Sequence, residues 1–133
     1  MSVIPIKVSG RSHIRSMCVN THHIFVTFFG SHYIYKMSLE GKEILKYGRY
    51  GTNLGEFDHP YACMCDDDEN LLITNVSNRC PQLLHGEQWY EIELQPPPFW
   101  PQAVVYDGHA LYVRDAYEIQ KFKYEKEHAC VLM

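Results

Sequence analysis

The sequence predicts an all-β fold of about three repeated units, each built from about four short antiparallel strands. Three observations carry this prediction. The 133 residues include ten Tyr and six Phe, and aromatic side chains suit a pleated, half-buried surface better than a helix. Most of the apolar runs alternate with period two, and no stretch sustains a helical period. Finally, Ile24-Phe25-Val26-Thr27, Leu71-Leu72-Ile73-Thr74 and Leu111-Tyr112-Val113-Arg114 each follow a polar or Gly-containing turn and a shorter apolar stretch. They recur at roughly 40 to 45 residues, the length of one four-stranded repeat.

In chain order, the first unit opens with Met17-Cys18-Val19 and continues through Ile24 to Thr27 and His32 to Met37. Leu39-Glu40-Gly41-Lys42 then reads as a hairpin turn. The second unit follows a loop punctuated by Gly48, Gly51 and Gly55. It runs through Ala62-Cys63-Met64, the acidic turn Asp66-Asp67-Asp68-Glu69-Asn70 and the apolar run Leu71 to Thr74, with poorer strands around Leu83-Leu84 and Trp89 to Leu94. The third begins after Gln95-Pro96-Pro97-Pro98-Phe99-Trp100-Pro101, whose prolines deny a sheet its N–H donors and predict an extended surface connection. The same proline run also fits a ligand for an SH3 or WW domain. Ala103-Val104-Val105, Leu111 to Arg114 and Ile119 to Phe122 complete it. Approximate bounds are 11–57, 58–98 and 99–126 within one domain, with a tail at 127–133.

The stretch from Tyr47 to Ala62, with Gly48, Gly51, Gly55, Phe57 and Pro60 in that order and Asp66 beyond it, resembles an NHL repeat, one blade of a β-propeller. The resemblance is strongest at 47–75 and again at 101–122, where Pro101-Gln102-Ala103 and Asp107 match Pro60-Tyr61-Ala62 and Asp66. It departs from the family pattern where Asn75 replaces an aspartate and Asn78-Arg79 match only loosely. The resemblance implies a partial β-propeller of about three four-stranded antiparallel blades. Complete family propellers usually carry about six blades. A fragment of a longer protein, two copies closing one ring and an open arc therefore all remain open.

Composition excludes several function classes. The formal net charge of −4 disfavours wrapping of nucleic acid phosphates by bulk charge. No apolar run approaches the roughly 18 residues of a membrane span, and residues 1–10 lack the pattern of a secretory leader. Five cysteines, an odd number, fit reduced thiols in a cytoplasmic setting. Cys63 and Cys65, two apart on a strand, share a face and read as core rather than as a metal pair. His22-His23 reads as surface. The acidic run lacks the spacing of a calcium loop, and no nucleophile, Walker or dinucleotide motif is present. We therefore expect no enzyme activity, no catalytic residue, no cofactor and no metal.

A non-catalytic interaction module is the expected function, with protein favoured over RNA as the partner. RNA binding, as in the tripartite-motif proteins that carry NHL repeats, and a propeller-type lyase or hydrolase are the alternatives. Loops at one end of a propeller bind, so the candidate contact residues are Tyr47, Arg49, Tyr50, Asn53, Asn75, Asn78, Arg79 and Trp100, rich in the Tyr, Trp and Arg that interfaces favour. The glycines are assigned to backbone geometry alone. The last residues, Cys130-Val131-Leu132-Met133, fit a prenylation signal on Cys130. Membrane association is expected only through that lipid, and Glu125 and Glu127 interrupt the basic residues that would assist it.

Overall fold

The computed structural model describes residues 2–8, 13–75, 78–94, 98 and 101–124. Three antiparallel sheets follow one another along the chain. The first contains β1 (Ile14–Val19), β2 (His23–Phe28), β3 (Ile34–Ser38) and β4 (Glu43–Tyr47). The second contains β5 (Pro60–Cys65), β6 (Leu71–Asn75), β7 (Asn78–His85) and β8 (Gln88–Glu91). The third contains β9 (Ala103–Tyr106), β10 (Ala110–Arg114) and β11 (Ile119–Lys123). Within each sheet the strands pair in sequence order, and no helix occurs among the described residues. The third sheet has three strands among the described residues, where about four were expected. Most of the proline linker, Trp100 and the Cys130 tail lie outside the described residues.

First strands pack against first strands: β1 lies beside β5, and β5 beside β9. The sheets therefore radiate from a common inner edge. Pro60 opens β5, a position where its missing N–H costs no ladder bond.

The middle sheet is buried on both faces. All five residues of β6 are buried. Leu71 and Ile73 pack toward the first sheet with Phe25, Ile34, Phe57 and Leu84. Leu72, on the opposite face, packs with Leu83, Val104, Leu111, Val113 and Phe122. This explains why Leu71-Leu72-Ile73 does not alternate: adjacent strand residues point to opposite faces, and here both faces are core. Each such side chain contributes on the order of 1.5–3 kcal/mol by leaving water. The outer face of the first sheet buries Val26, Phe28, Tyr35 and Met37, with Val8 from the N-terminal segment packed on them. The outer face of the third sheet carries Val105 at 59% and Ile119 at 71% exposure.

One turn recurs between the first and second strands of each sheet. Asn20 Oδ1 accepts the N–H groups of His22 and His23 at 3.0 and 2.9 Å. Asp66 Oδ1 accepts those of Asp68 and Asn70 at 2.9 Å each, and Asp107 Oδ1 those of His109 and Ala110 at 2.8 Å each. A short acceptor side chain closes its own turn, and in the acidic run Asp66 has this role.

Polar and sulfur contacts also stitch sheets together inside the core. The buried Tyr124 hydroxyl donates to Asp66 Oδ2 at 2.7 Å, linking the end of the third sheet to the second. Burial, reinforced by Asp66, raises the Tyr124 pKa far above its usual value. Between the first and second sheets, Cys18 Sγ lies 3.5 Å from Cys65 Sγ, and Cys63 Sγ lies 3.8 Å from Ser16 Oγ. Cys63 is buried and Cys65 half-buried, so the expected core role of this pair holds. Contact with the Cys63 and Cys65 thiols, then burial, pushes the Cys18 thiol well above its ordinary range.

Tyr124→Phe leaves Asp66 short of one buried donor and should lower stability by about 1–3 kcal/mol in urea unfolding; an unchanged midpoint would contradict the inter-sheet role. Because only thiolate is nucleophilic, Cys18 should alkylate with iodoacetamide at least roughly tenfold more slowly in folded than in urea-unfolded protein at neutral pH. Peptide mass spectrometry reads this directly, and equal rates would show that the thiol is not suppressed.

Candidate functional site

Antiparallel alternation places the loops after the second and fourth strands of each sheet at one end of the molecule. The β2–β3 loop, the long β4–β5 connection and the end of β6 meet there. The β4–β5 connection, residues 48–59, is the glycine-punctuated stretch of the sequence. Gly48, at φ 87°, sits so near the Phe57 ring that a Cβ would lie 2.7 Å from Phe57 Cδ2. Gly55, at φ 78°, is similarly pressed against the Trp89 indole. Glycine is required at both places for conformation and for space.

The loop is held from inside by its own backbone and by two buried amides. Phe57 is fully buried, and its N–H donates to Arg49 O at 2.8 Å while Gly51 N–H donates to Phe57 O at 3.2 Å. Gln82, buried on β7, accepts the Gly55 N–H at 2.7 Å and donates from Nε2 to Glu56 O at 3.0 Å. Asn75 Oδ1 accepts the Asp58 N–H at 3.1 Å. On the outer side, Arg49 Nε donates to Glu56 Oε2 at 2.8 Å, and Glu56 Oε1 accepts the Asn53 N–H at 3.2 Å. What remains in water is the tip, where Tyr50 is 67% and Leu54 57% exposed.

The sequence-predicted contact residues divide accordingly. Arg49, Tyr50 and Asn53 are exposed on the loop. Tyr47 belongs to the end of β4 rather than to a turn, its ring half-buried with its centroid 6.0 Å from that of Trp89. Its pKa is raised mainly by that burial. Asn75 is buried, and its amide supports the loop instead of facing outward. Asn78 and Arg79 open β7 at the same end. Trp100 lies outside the described residues. The sequence reading missed Gln82, the loop residues Asp58 and His59, and His32 of the β2–β3 loop.

His32, Asp58 and His59 form a compact group. His59 Nδ1 lies 2.8 Å from Asp58 Oδ1. The His59 backbone N–H donates to His32 Nδ1 at 3.2 Å. The two imidazole centroids are 4.6 Å apart, and Tyr50 stacks edge-on to His32 at 4.9 Å. His59 holds a left-handed backbone at φ 58°, which costs a non-glycine residue on the order of 1 kcal/mol and persists only where the surroundings enforce it. Here the surroundings hold it: Asn75 accepts the N–H of the preceding Asp58 and His32 accepts the N–H of His59 itself. A separate cleft of about 200 Å³ opens between the first two sheets, lined by His22, His23, Lys36, Glu69 and Gly86 among others; Tyr47 is its one predicted residue.

The Arg49 side chain beside it, followed by the Asn53 N–H, holds Glu56 below the usual carboxylate range. A lowered folded-state pKa stabilises above the unfolded value and is lost as pH falls through the folded one. The loop should therefore stay closed at neutral pH and loosen only below about pH 4.5. Amide exchange at Gly51 and Asn53, compared with the β6 amides, checks this; loosening already at pH 6 would contradict it.

No family model matches the chain, and no curated protein matches it. Among solved structures it is similar to virginiamycin B lyase from Staphylococcus aureus in its selenomethionine form, with TM-score 0.57 and 13% identity over 89% of this chain and 43% of that one. A catalytically inactive variant of the same lyase with quinupristin gives TM-score 0.58 and 12% identity over 88% of this chain and 43% of that one. The chain thus spans well under half of the lyase, a seven-bladed β-propeller. At that identity the likeness concerns the fold alone. By fold, the chain is a partial β-propeller of three antiparallel sheets.

Proposed function

We propose that this chain is an NHL-type, non-catalytic interaction module that docks a protein partner at the end carrying the 48–59 loop. The observation that carries the reading is the pairing of an exposed tip, Tyr50 and Leu54, with a stem pinned by Phe57, Gln82 and Asn75. A large aromatic and an aliphatic side chain held on a stiff support bury area at little ordering cost. Arg49 is committed to Glu56, and the chain is formally at −4, so the tip has little to offer a phosphate backbone. Protein is favoured over RNA on that ground. The lyase activity named for virginiamycin B lyase belongs to that protein, and likeness at 12–13% identity gives no reason to carry it over.

The test is photocrosslinking in the source cells with a benzophenone amino acid at position 50, and separately at Val105 on the outer face of the third sheet. Crosslinking to one discrete protein from position 50 but not from 105 supports docking at the loop. The double variant Y50A/L54A should weaken binding of that protein at least roughly tenfold, since hot-spot side chains typically carry more than 1.4 kcal/mol each. Crosslinks confined to RNA would favour the nucleic acid reading, and crosslinks equal at both positions would remove the loop from the interface.

A further inference from the structure

We propose that His32, Asp58 and His59 form a binding site for one divalent transition-metal cation of the zinc class, independently of which partner the loop docks. One ligating atom from each of the three lies within 4.8 Å of the other two. Ligands on a tetrahedral zinc, at bond lengths of about 2.0–2.2 Å, stand roughly 3.3–3.6 Å apart. Small side-chain rotations therefore close the set without moving a strand.

The donors select the class of ion. Two imidazoles among three ligands fit zinc, cobalt, nickel or copper, whereas calcium and magnesium demand oxygen. Three protein ligands leave a fourth position for water or for a group on a partner.

The site is also built in advance. The His59 backbone N–H, which His32 Nδ1 accepts, orients the His32 ring, and a cation taking that lone pair would displace this hydrogen bond. The Asp58 carboxylate already fixes the His59 ring at 2.8 Å, and the buried Asn75 amide fixes the Asp58 backbone. The left-handed His59 turns its ring toward His32 across two loops that are otherwise separate in sequence. Ligation replaces the His59–Asp58 contact with bonds from each group to the cation. The proton between them moves to the other ring nitrogen or to solvent. A bound ion would join the β2–β3 loop to the 48–59 loop.

Cobalt(II) titration of the full chain tests the proposal, with visible absorption as the readout. The expected result is one cobalt per chain, with ligand-field bands of a four- or five-coordinate site and no strong sulfur-to-cobalt band in the near ultraviolet. His32→Ala and His59→Gly should each abolish the bands, the glycine being chosen because it accepts the left-handed backbone. Asp58→Asn should weaken binding at least roughly tenfold, and His109→Ala should leave it unchanged. Far-ultraviolet circular dichroism confirms that each variant keeps its strands. Bands that survive both histidine variants would overturn the proposal. So would a dominant sulfur band, which would place the ion at Cys18, Cys63 and Cys65, or a titration without visible absorption.

Discussion

Burial of the second sheet on both faces is the constraint from which the rest of this fold follows. β6 has no solvent side: Leu71 and Ile73 bind the first sheet into one core, while Leu72 binds the third into another. Neither outer sheet packs between two others: the third turns Val105 and Ile119 to solvent, and the first buries its second face with the N-terminal segment rather than against another sheet. Tyr124 bonded to Asp66 and the thiol contacts around Cys18 are polar and sulfur supplements to those two cores, each placed where sheets meet.

The middle sheet also supports the exposed end of the molecule. Gln82 on β7 and Asn75 on β6 reach from buried positions to the backbone of the 48–59 loop, and Trp89 on β8 packs against Phe57 and Gly55. Loop and core are thus one mechanical unit. The tip residues Tyr50 and Leu54, and the His32–Asp58–His59 group at the loop's edge, inherit a fixed geometry from side chains that never reach the surface. That is why a long connection with three glycines can serve as a platform rather than as a tether.

The strands and their turns were legible in the sequence because both are local. Period-two alternation, the Gly41 hairpin, Pro60 ahead of a strand and the short acceptors at Asp66 and Asp107 all act within a few residues of themselves. Asn20 performs the same task in the first sheet, and its equivalence emerges only once the three turns are superposed. The candidate site was half legible. Arg49, Tyr50 and Asn53 are exposed as the loop composition implied, yet Tyr47 and Asn75 are drawn inward by Trp89 and by the Asp58 amide, partners 42 and 17 residues away. His32 is likewise 27 residues from His59 in the chain. Nothing in either local sequence announces the other, because their meeting is a product of how the first two sheets pack.

Native-state hydrogen exchange across the chain probes the two-sided core most directly. Amides of β6 and of its neighbours β5 and β7 should exchange last, and only through global unfolding, with β2, β3 and β10 no slower than they are. If β10 or β2 stayed protected while β6 exchanged, the outer sheets would be stable without the middle one, and the account of a fold organised around the second sheet would be wrong.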